Sequence, residues 1–346
     1  MPAPTNAYQP YAALHAATHG AGDQRPTAMR VLFDEGLLHN GLVGKVFLVT
    51  GCSAGLGVET ARALYAAGAD VYMTVREAKK QQAEKIIKDI RSSAPQATGK
   101  LELVFLDLTS FKSVRAGAED FLKRTTKLNA LIENAGVMMC PYSKTEDGFE
   151  MQMGTNHFGH FLLFQCLKER LLASATPEFR SRVIVVSSAG HRFSEIRFDD
   201  VNFEAGYDRI AAYGQSKTAN VYMASSIERH YGHLGLRALS VHPGVILETD
   251  LPRHQTMETV DQDFDMASLI PIAKNIPQGA ASQVWAATAK HFNDGAGYYV
   301  ADCGVGIPWK EGDSVGAAGY AAHAYDEVKE ERLWKLSCDA VGVGYD

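Results

Sequence analysis

Tyr213 and Lys217, in the run Tyr213-Gly214-Gln215-Ser216-Lys217, stand four residues apart. At helical spacing this puts a phenol and an ammonium on one face, about one turn apart. A free tyrosine has a pKa near ~10, too high for easy proton exchange at neutral pH, and a neighbouring ammonium favours the phenolate. Such a pair often arises by chance, so its context decides the reading. The helix follows Val183-Ile184-Val185-Val186-Ser187-Ser188, a strand-like run that ends in hydroxyls. Strand and helix would bring Ser188, Tyr213 and Lys217 to one sheet edge, where a proton can be given to an oxygen or taken from it.

A second signal lies in Thr50-Gly51-Cys52-Ser53-Ala54-Gly55-Leu56-Gly57, between a strand-like and a helix-like segment. Glycines permit a tight turn and close backbone approach, and the free N–H groups of the helix start favour a pyrophosphate. Gly51, Ser53, Gly55, Leu56 and Gly57 are therefore candidate dinucleotide contacts. The next strand-like run ends at Val75, and Arg76 follows. A carboxylate at that place holds a ribose 2′-hydroxyl, whereas a cation accommodates a 2′-phosphate, so Arg76 predicts NADP(H). Lys79 and Lys80 read as an exposed helix face.

The elements that must position these groups follow from periodicity. From residue 45 onward, strand-like apolar runs at 46–50, 71–75, 101–106, 128–132, 183–186, 236–241 and 297–300 alternate with amphipathic stretches. The helix-like stretches are 56–67, 78–90, 114–122, 149–172, 213–231 and 278–291. Continuous apolar runs are what strands buried on both faces look like, and strand–helix alternation implies parallel pairing with right-handed crossovers. One α/β domain is expected, a doubly wound parallel sheet flanked by helices, over residues 41–346. Residues 1–40 read as an N-terminal surface arm with a short helix at 27–38, and 326–340 as a terminal helix turning Leu333, Trp334 and Leu336 inward.

The spacing TGxxxGxG resembles that of the short-chain dehydrogenase/reductase family, over about residues 41–303. The tail and the long stretch between Ser188 and Tyr213 are similar to the branch of retinol dehydrogenases and light-dependent protochlorophyllide reductase. The opening arm and residues 139–149 are similar to fungal members, many of which serve secondary metabolism. The resemblance implies a Rossmann-type fold and an Asn156–Ser188–Tyr213–Lys217 tetrad. In that reading Tyr213 is the acid/base, its pKa lowered by Lys217 and the positive nicotinamide ring. Ser188 orients the substrate oxygen, Lys217 also binds the nicotinamide ribose, and Asn156 holds a water that relays protons.

The same resemblance places Asp107 and Leu108 by the adenine and Asn134, Ala135 and Gly136 by the nicotinamide. Glu133 stands where the family has asparagine, and is expected to hydrogen-bond neighbouring backbone. Pro243, Gly244 and Val245 match the family's turn at the nicotinamide carboxamide. Thr249, one place later than usual, is a further contact. Residues 250–275 match the mobile substrate lid, with Met257, Phe264, Met266, Leu269 and Ile270 as its apolar inner face, which implies a lipophilic substrate. His191, next to the serine, reads as a loop hydrogen-bonding residue, since the tetrad already fills the catalytic role.

Composition limits the alternatives. The chain of 346 residues is 46% hydrophobic and 21% charged, as in ordinary globular proteins, and its net charge of −6 argues against a nucleic-acid partner. Five cysteines with no CxxC argue against a zinc site and for a reducing, cytoplasmic setting. His157 and His160 lack a third ligand at helical spacing, so no metal is expected. No secretory signal and no membrane-spanning run are read. The expected function is an NADP(H)-dependent oxidoreductase interconverting a carbonyl and an alcohol on a small molecule, with a homo-oligomer as the family prior. Two alternatives stay open: a nucleotide-sensing scaffold without catalysis, and a C=C reductase using the same Tyr/Lys pair.

Overall fold

A computed structural model of the chain describes residues 7–251, 253–254, 264–314 and 316–345. Seven strands pair in parallel: β1 (Val46–Val49), β2 (Asp70–Val75), β3 (Leu101–Phe105), β4 (Ala130–Glu133), β5 (Ser181–Val186), β6 (Leu236–His242) and β7 (Tyr299–Ala301). A short β8 (Gly304–Val305) closes the edge antiparallel to β7, and the order is β3-β2-β1-β4-β5-β6-β7-β8. The chain leaves β1 toward one edge and returns to β4 on its other side. That reversal opens a crevice at the carboxyl ends of β1 and β4, where ligands of such sheets bind.

Helices cover both faces. On one lie α1 (Ala28–Asp34), α2 (Gly55–Ala66), α3 (Lys80–Ser93) and α7 (Ala281–Thr288); on the other lie α4 (Phe111–Arg124), α5 (Gly159–Ser174), α6 (Arg209–Tyr231) and α8 (Glu327–Val341). The strands alternate accordingly: Phe47 and Val49 feed the first core, Val46 and Leu48 the second. Burying both faces explains why the runs read as continuously apolar.

Several expectations need correction. The segment before residue 41 is not a surface arm throughout. Thr27 caps α1 through the Arg30 N–H, and Ala28, Val31 and Leu32 are fully buried against the first core. Arg25 is buried as well, its guanidinium paired with Asp23 at 2.7 Å and donating to the carbonyls of Ile272 at 2.7 Å and Ala273 at 2.5 Å. The helix expected at 278–291 breaks into Ile276–Gly279 and α7, the first opened by an Asn275–Gln278 capping box. The one expected at 149–172 is interrupted by a π-helical turn, Gly154–Phe158, that leads into α5. In α8, Leu333 and Trp334 are buried and Leu336 is half-buried. No helix among the described residues is long and apolar enough to cross a membrane.

Candidate active site

The glycine turn sits in the crevice. Helix α2 begins at Gly55 behind Ala54, which supplies no side-chain cap, and its first turn holds no acidic residue. Its leading N–H groups are thus open to an anion, the arrangement a pyrophosphate needs. Gly51 takes φ +75° and passes so close to β4 that a Cβ would lie 2.8 Å from the Ala135 Cα. Ser53 and Leu56 are half-buried on the same turn. Thr249 lies over it, its Cγ2 3.4 Å from where a Gly55 Cβ would be. Arg76 follows β2, is exposed, and makes no ion pair among the described residues. Uncapped helix start, glycine approach and free guanidinium together fit a phosphorylated dinucleotide.

The neighbouring sheet ends are stitched by backbone. Asn134 donates to the Thr50 carbonyl at 2.8 Å, and the Ala135 N–H donates to the Thr50 hydroxyl at 2.9 Å. Gly136 leaves room where a Cβ would come within 3.2 Å of Asn156 Oδ1 and 3.7 Å of Lys217 Nζ. The Asp107 carboxylate accepts from the Thr109 N–H and hydroxyl, at 3.0 and 2.8 Å, while Leu108 is buried in packing. Gly244, beside Pro243, takes φ +102° against the Lys274 side chain, and the Val245 carbonyl accepts from the Lys274 N–H at 2.8 Å.

The four tetrad positions converge at the carboxyl end of β5. Ser188 follows that strand, and its hydroxyl accepts from the Gly190 N–H at 3.0 Å beside the Tyr213 side chain. Gly190 seats the tyrosine ring, since a Cβ there would fall 2.7 Å from Tyr213 Cε1. Lys217 Nζ donates to the Val186 carbonyl at 3.0 Å and lies 5.7 Å from the Tyr213 ring centroid. Asn156, on the π-helical turn, accepts from the Val137 N–H at 2.8 Å and donates to the Val137 carbonyl and the Ser216 hydroxyl, each at 2.9 Å. Both of its amide hydrogens are spent on protein partners. The side chain acts as a staple between the β4 loop and α6.

Burial dominates the electrostatics. The Tyr213 pKa is pushed up to about 12 by burial, against a smaller lowering from the neighbouring Ser188. Burial lowers Lys217 to about 8. Removing the phenolate from water is the largest cause, and the lowering expected from Lys217 together with the nicotinamide ring belongs to the cofactor-bound state. Glu133 also departs from expectation. It is fully buried, neither carboxyl oxygen has a hydrogen-bond partner among the described residues, and burial raises its pKa well above the carboxylate range.

Other participants had no signature in sequence. His160 is buried; its Nδ1 lies 3.0 Å from the Asn156 carbonyl and its Nε2 2.9 Å from the Thr50 hydroxyl. Because a carbonyl only accepts, Nδ1 carries the proton and Nε2 accepts from Thr50. The Val186 carbonyl that holds Lys217 also takes a 3.0 Å bond from Asn220. Of the lid, Met257 lies outside the described residues. Phe264 faces Phe193 with ring centroids 6.2 Å apart, and Leu269 is buried, while Ile270 is exposed.

A parallel sheet of this order, with a glycine turn in its central crevice, defines a nucleotide-binding α/β protein. The profile of the short chain dehydrogenase family matches residues 45–259. The chain is 44% identical over 319 residues to the short-chain dehydrogenase/reductase prx1 of Penicillium roqueforti, covering 92% of this chain and 91% of that one. It is 37% identical over 305 residues to human retinol dehydrogenase 12, covering 88% and 89%. The fold is also that of the NADP complex of Pseudomonas aeruginosa RhlG, at TM-score 0.59 and 24% identity, covering 75% of this chain and 95% of the other. This chain belongs to the short-chain dehydrogenase/reductase family of oxidoreductases.

Proposed function

We propose that the chain is an NADP(H)-dependent enzyme that interconverts a carbonyl and an alcohol on a lipophilic small molecule, with Tyr213 as acid and base. The observation that carries this reading is the buried cluster itself: Tyr213 and Ser188 brought together at Gly190, with Lys217 held at 3.0 Å on the Val186 carbonyl. A nicotinamide dinucleotide along the glycine turn supplies hydride chemistry when bound. The uncapped start of α2 receives its pyrophosphate, and Arg76 its 2′-phosphate.

The protein's own residues handle the oxygen and its proton. Ser188 directs its hydroxyl at the substrate oxygen beside Tyr213. With a pKa of about 12, Tyr213 holds its proton at neutral pH, ready to give it to an oxygen that gains negative charge. Lys217, at about 8, is mostly charged at neutral pH and stabilises the phenolate left behind. In the oxidative direction the same groups run in reverse. Phe193, just after the Ser188 turn, faces Phe264 of the expected lid, an apolar pairing that supports a lipophilic substrate.

Fluorescence titration with NADPH and NADH, in wild type and Arg76→Ala, tests the cofactor half. The expected result is a clear preference for NADPH that falls by about 10- to 100-fold in the variant, the worth of a charge-assisted phosphate contact. Equal binding of both nucleotides in both proteins refutes the assignment of Arg76. Binding of neither removes the basis for an enzyme.

A further inference from the structure

The catalytic serine is tied to a part of the chain far from it in sequence. After β8, residues 307–314 and 316–325 belong to a strap in which Ile307–Pro308 pairs in parallel with Gly319–Tyr320, and the Trp309 N–H donates to the Tyr320 carbonyl at 2.9 Å. This strap lies beyond the residues that the family profile matches. It reaches the site through His191, which is fully buried three residues after Ser188. His191 Nδ1 lies 2.6 Å from the Ser188 carbonyl, and the Ala321 N–H donates to His191 Nε2 at 2.9 Å. A carbonyl accepts and an amide N–H donates, so one neutral tautomer satisfies both bonds, with the proton on Nδ1. Burial keeps the ring neutral by pushing its pKa down to about 3.

Further bonds fix the same junction. The His191 carbonyl accepts from His323 Nε2 at 3.0 Å and from the Thr218 hydroxyl at 2.8 Å, one residue past Lys217. Arg192 donates to the carbonyls of Ala317 and Gly319, at 3.0 and 3.1 Å, with its guanidinium 5.4 Å from the Trp309 ring centroid. The strap also touches the lid: a Cβ on Gly316 would fall 2.5 Å from Ile272 Cδ1 and 2.8 Å from Val245 Cγ2.

We infer that His191 is a positioning residue, a two-sided bridge through which the C-terminal strap sets the Ser188 turn and hence the hydroxyl that orients Tyr213 and the substrate oxygen. The inference rests on the reading of Ser188 and Tyr213 as the reacting pair. Its geometry distinguishes two arms. An asparagine at 191 keeps a donor near the Nδ1 position and loses the reach to Ala321, whereas a glutamine reaches Ala321 and loses the donor to the Ser188 carbonyl.

The test compares His191→Ala, His191→Asn and His191→Gln in the full chain, by carbonyl turnover with NADPH, NADPH affinity, and hydrogen exchange of residues 188–192 and 317–323. His191→Ala is expected to lower kcat on the order of 10- to 100-fold, as misplacement of a catalytic group does, with NADPH affinity unchanged and exchange raised in both segments together. His191→Asn should recover kcat more than His191→Gln does, and His191→Gln should recover protection of the strap more than His191→Asn does. Wild-type kcat in His191→Ala, or equal loss of kcat and NADPH affinity in all three variants, overturns the inference. If wild type binds NADPH but reduces no carbonyl, the functional reading fails on its own; unchanged strap protection in His191→Ala then refutes the bridge separately.

Discussion

Replacing Lys217 by methionine should remove activity and yet stabilise the fold. The ammonium is buried, and burial lowers its pKa from 10.5 to about 8. At about 1.4 kcal/mol per pH unit, holding that charge in the native state costs about 3 kcal/mol at neutral pH. Methionine has a similar length and no charge to desolvate. What is lost is the bond to the Val186 carbonyl, worth about 1 kcal/mol, and that carbonyl keeps its 3.0 Å bond from Asn220. The net gain for Lys217→Met is therefore about 2 kcal/mol at neutral pH, measured as an increase in the urea midpoint with an unchanged m-value.

The pH dependence supplies the sign. Below about pH 8 the lysine is charged both folded and unfolded, so the gap between the proteins is constant. Between about 8 and 10.5 the native lysine gives up its proton while the unfolded chain keeps it, so wild type gains on the variant and the gap narrows. His160, whose pKa of about 4 Lys217 helps to lower, titrates well below this window. A methionine variant less stable than wild type at neutral pH, or a gap that widens above pH 8, would refute this account of burial.

Glu133→Gln should leave stability unchanged in acid and raise it progressively as pH climbs above the ordinary carboxylate range, read by parallel urea titrations. The direction follows because the unpartnered carboxyl has a raised folded pKa, so its contribution is present in acid and lost as pH rises. Gly136→Ala should cost about tenfold in kcat/KM, because the added methyl crowds Asn156 Oδ1 beside Lys217 Nζ, while the urea midpoint moves by less than about 1 kcal/mol equivalent. Removing the Arg25 guanidinium by Arg25→Ala leaves the Ile272 and Ala273 carbonyls without it and should cost about 2 kcal/mol in urea, with NADPH affinity unaffected.

Legibility in the sequence followed range. The Tyr213–Lys217 spacing and the glycine turn are local patterns whose geometry is set within one helical turn, so both could be placed without coordinates. The sheet followed from apolar runs, because strands buried on both faces have a distinct look. Arg25 left no such trace: its partners Ile272 and Ala273 are 247 and 248 residues away, and a buried arginine has no periodicity. The strap is the same case, since Ala321 meets His191 across 130 residues. The Asn156 turn was readable as a position but not as a geometry. Only the structure shows that a π-helical turn aims its amide at the backbone of Val137 and spends both hydrogens. The Tyr213–Lys217 pairing can be read from spacing, whereas the raising of the Tyr213 pKa by burial cannot, since desolvation depends on everything packed around the ring.

The central claim is that Tyr213 delivers the proton. Single-turnover reduction of a carbonyl that wild type accepts, with saturating NADPH, should therefore be compared between wild type and Tyr213→Phe. NADPH binding should survive in the variant while the rate of NADPH oxidation falls by about 10²- to 10⁴-fold, the usual worth of a positioned acid. Oxidation of NADPH by Tyr213→Phe at the wild-type rate would contradict the account.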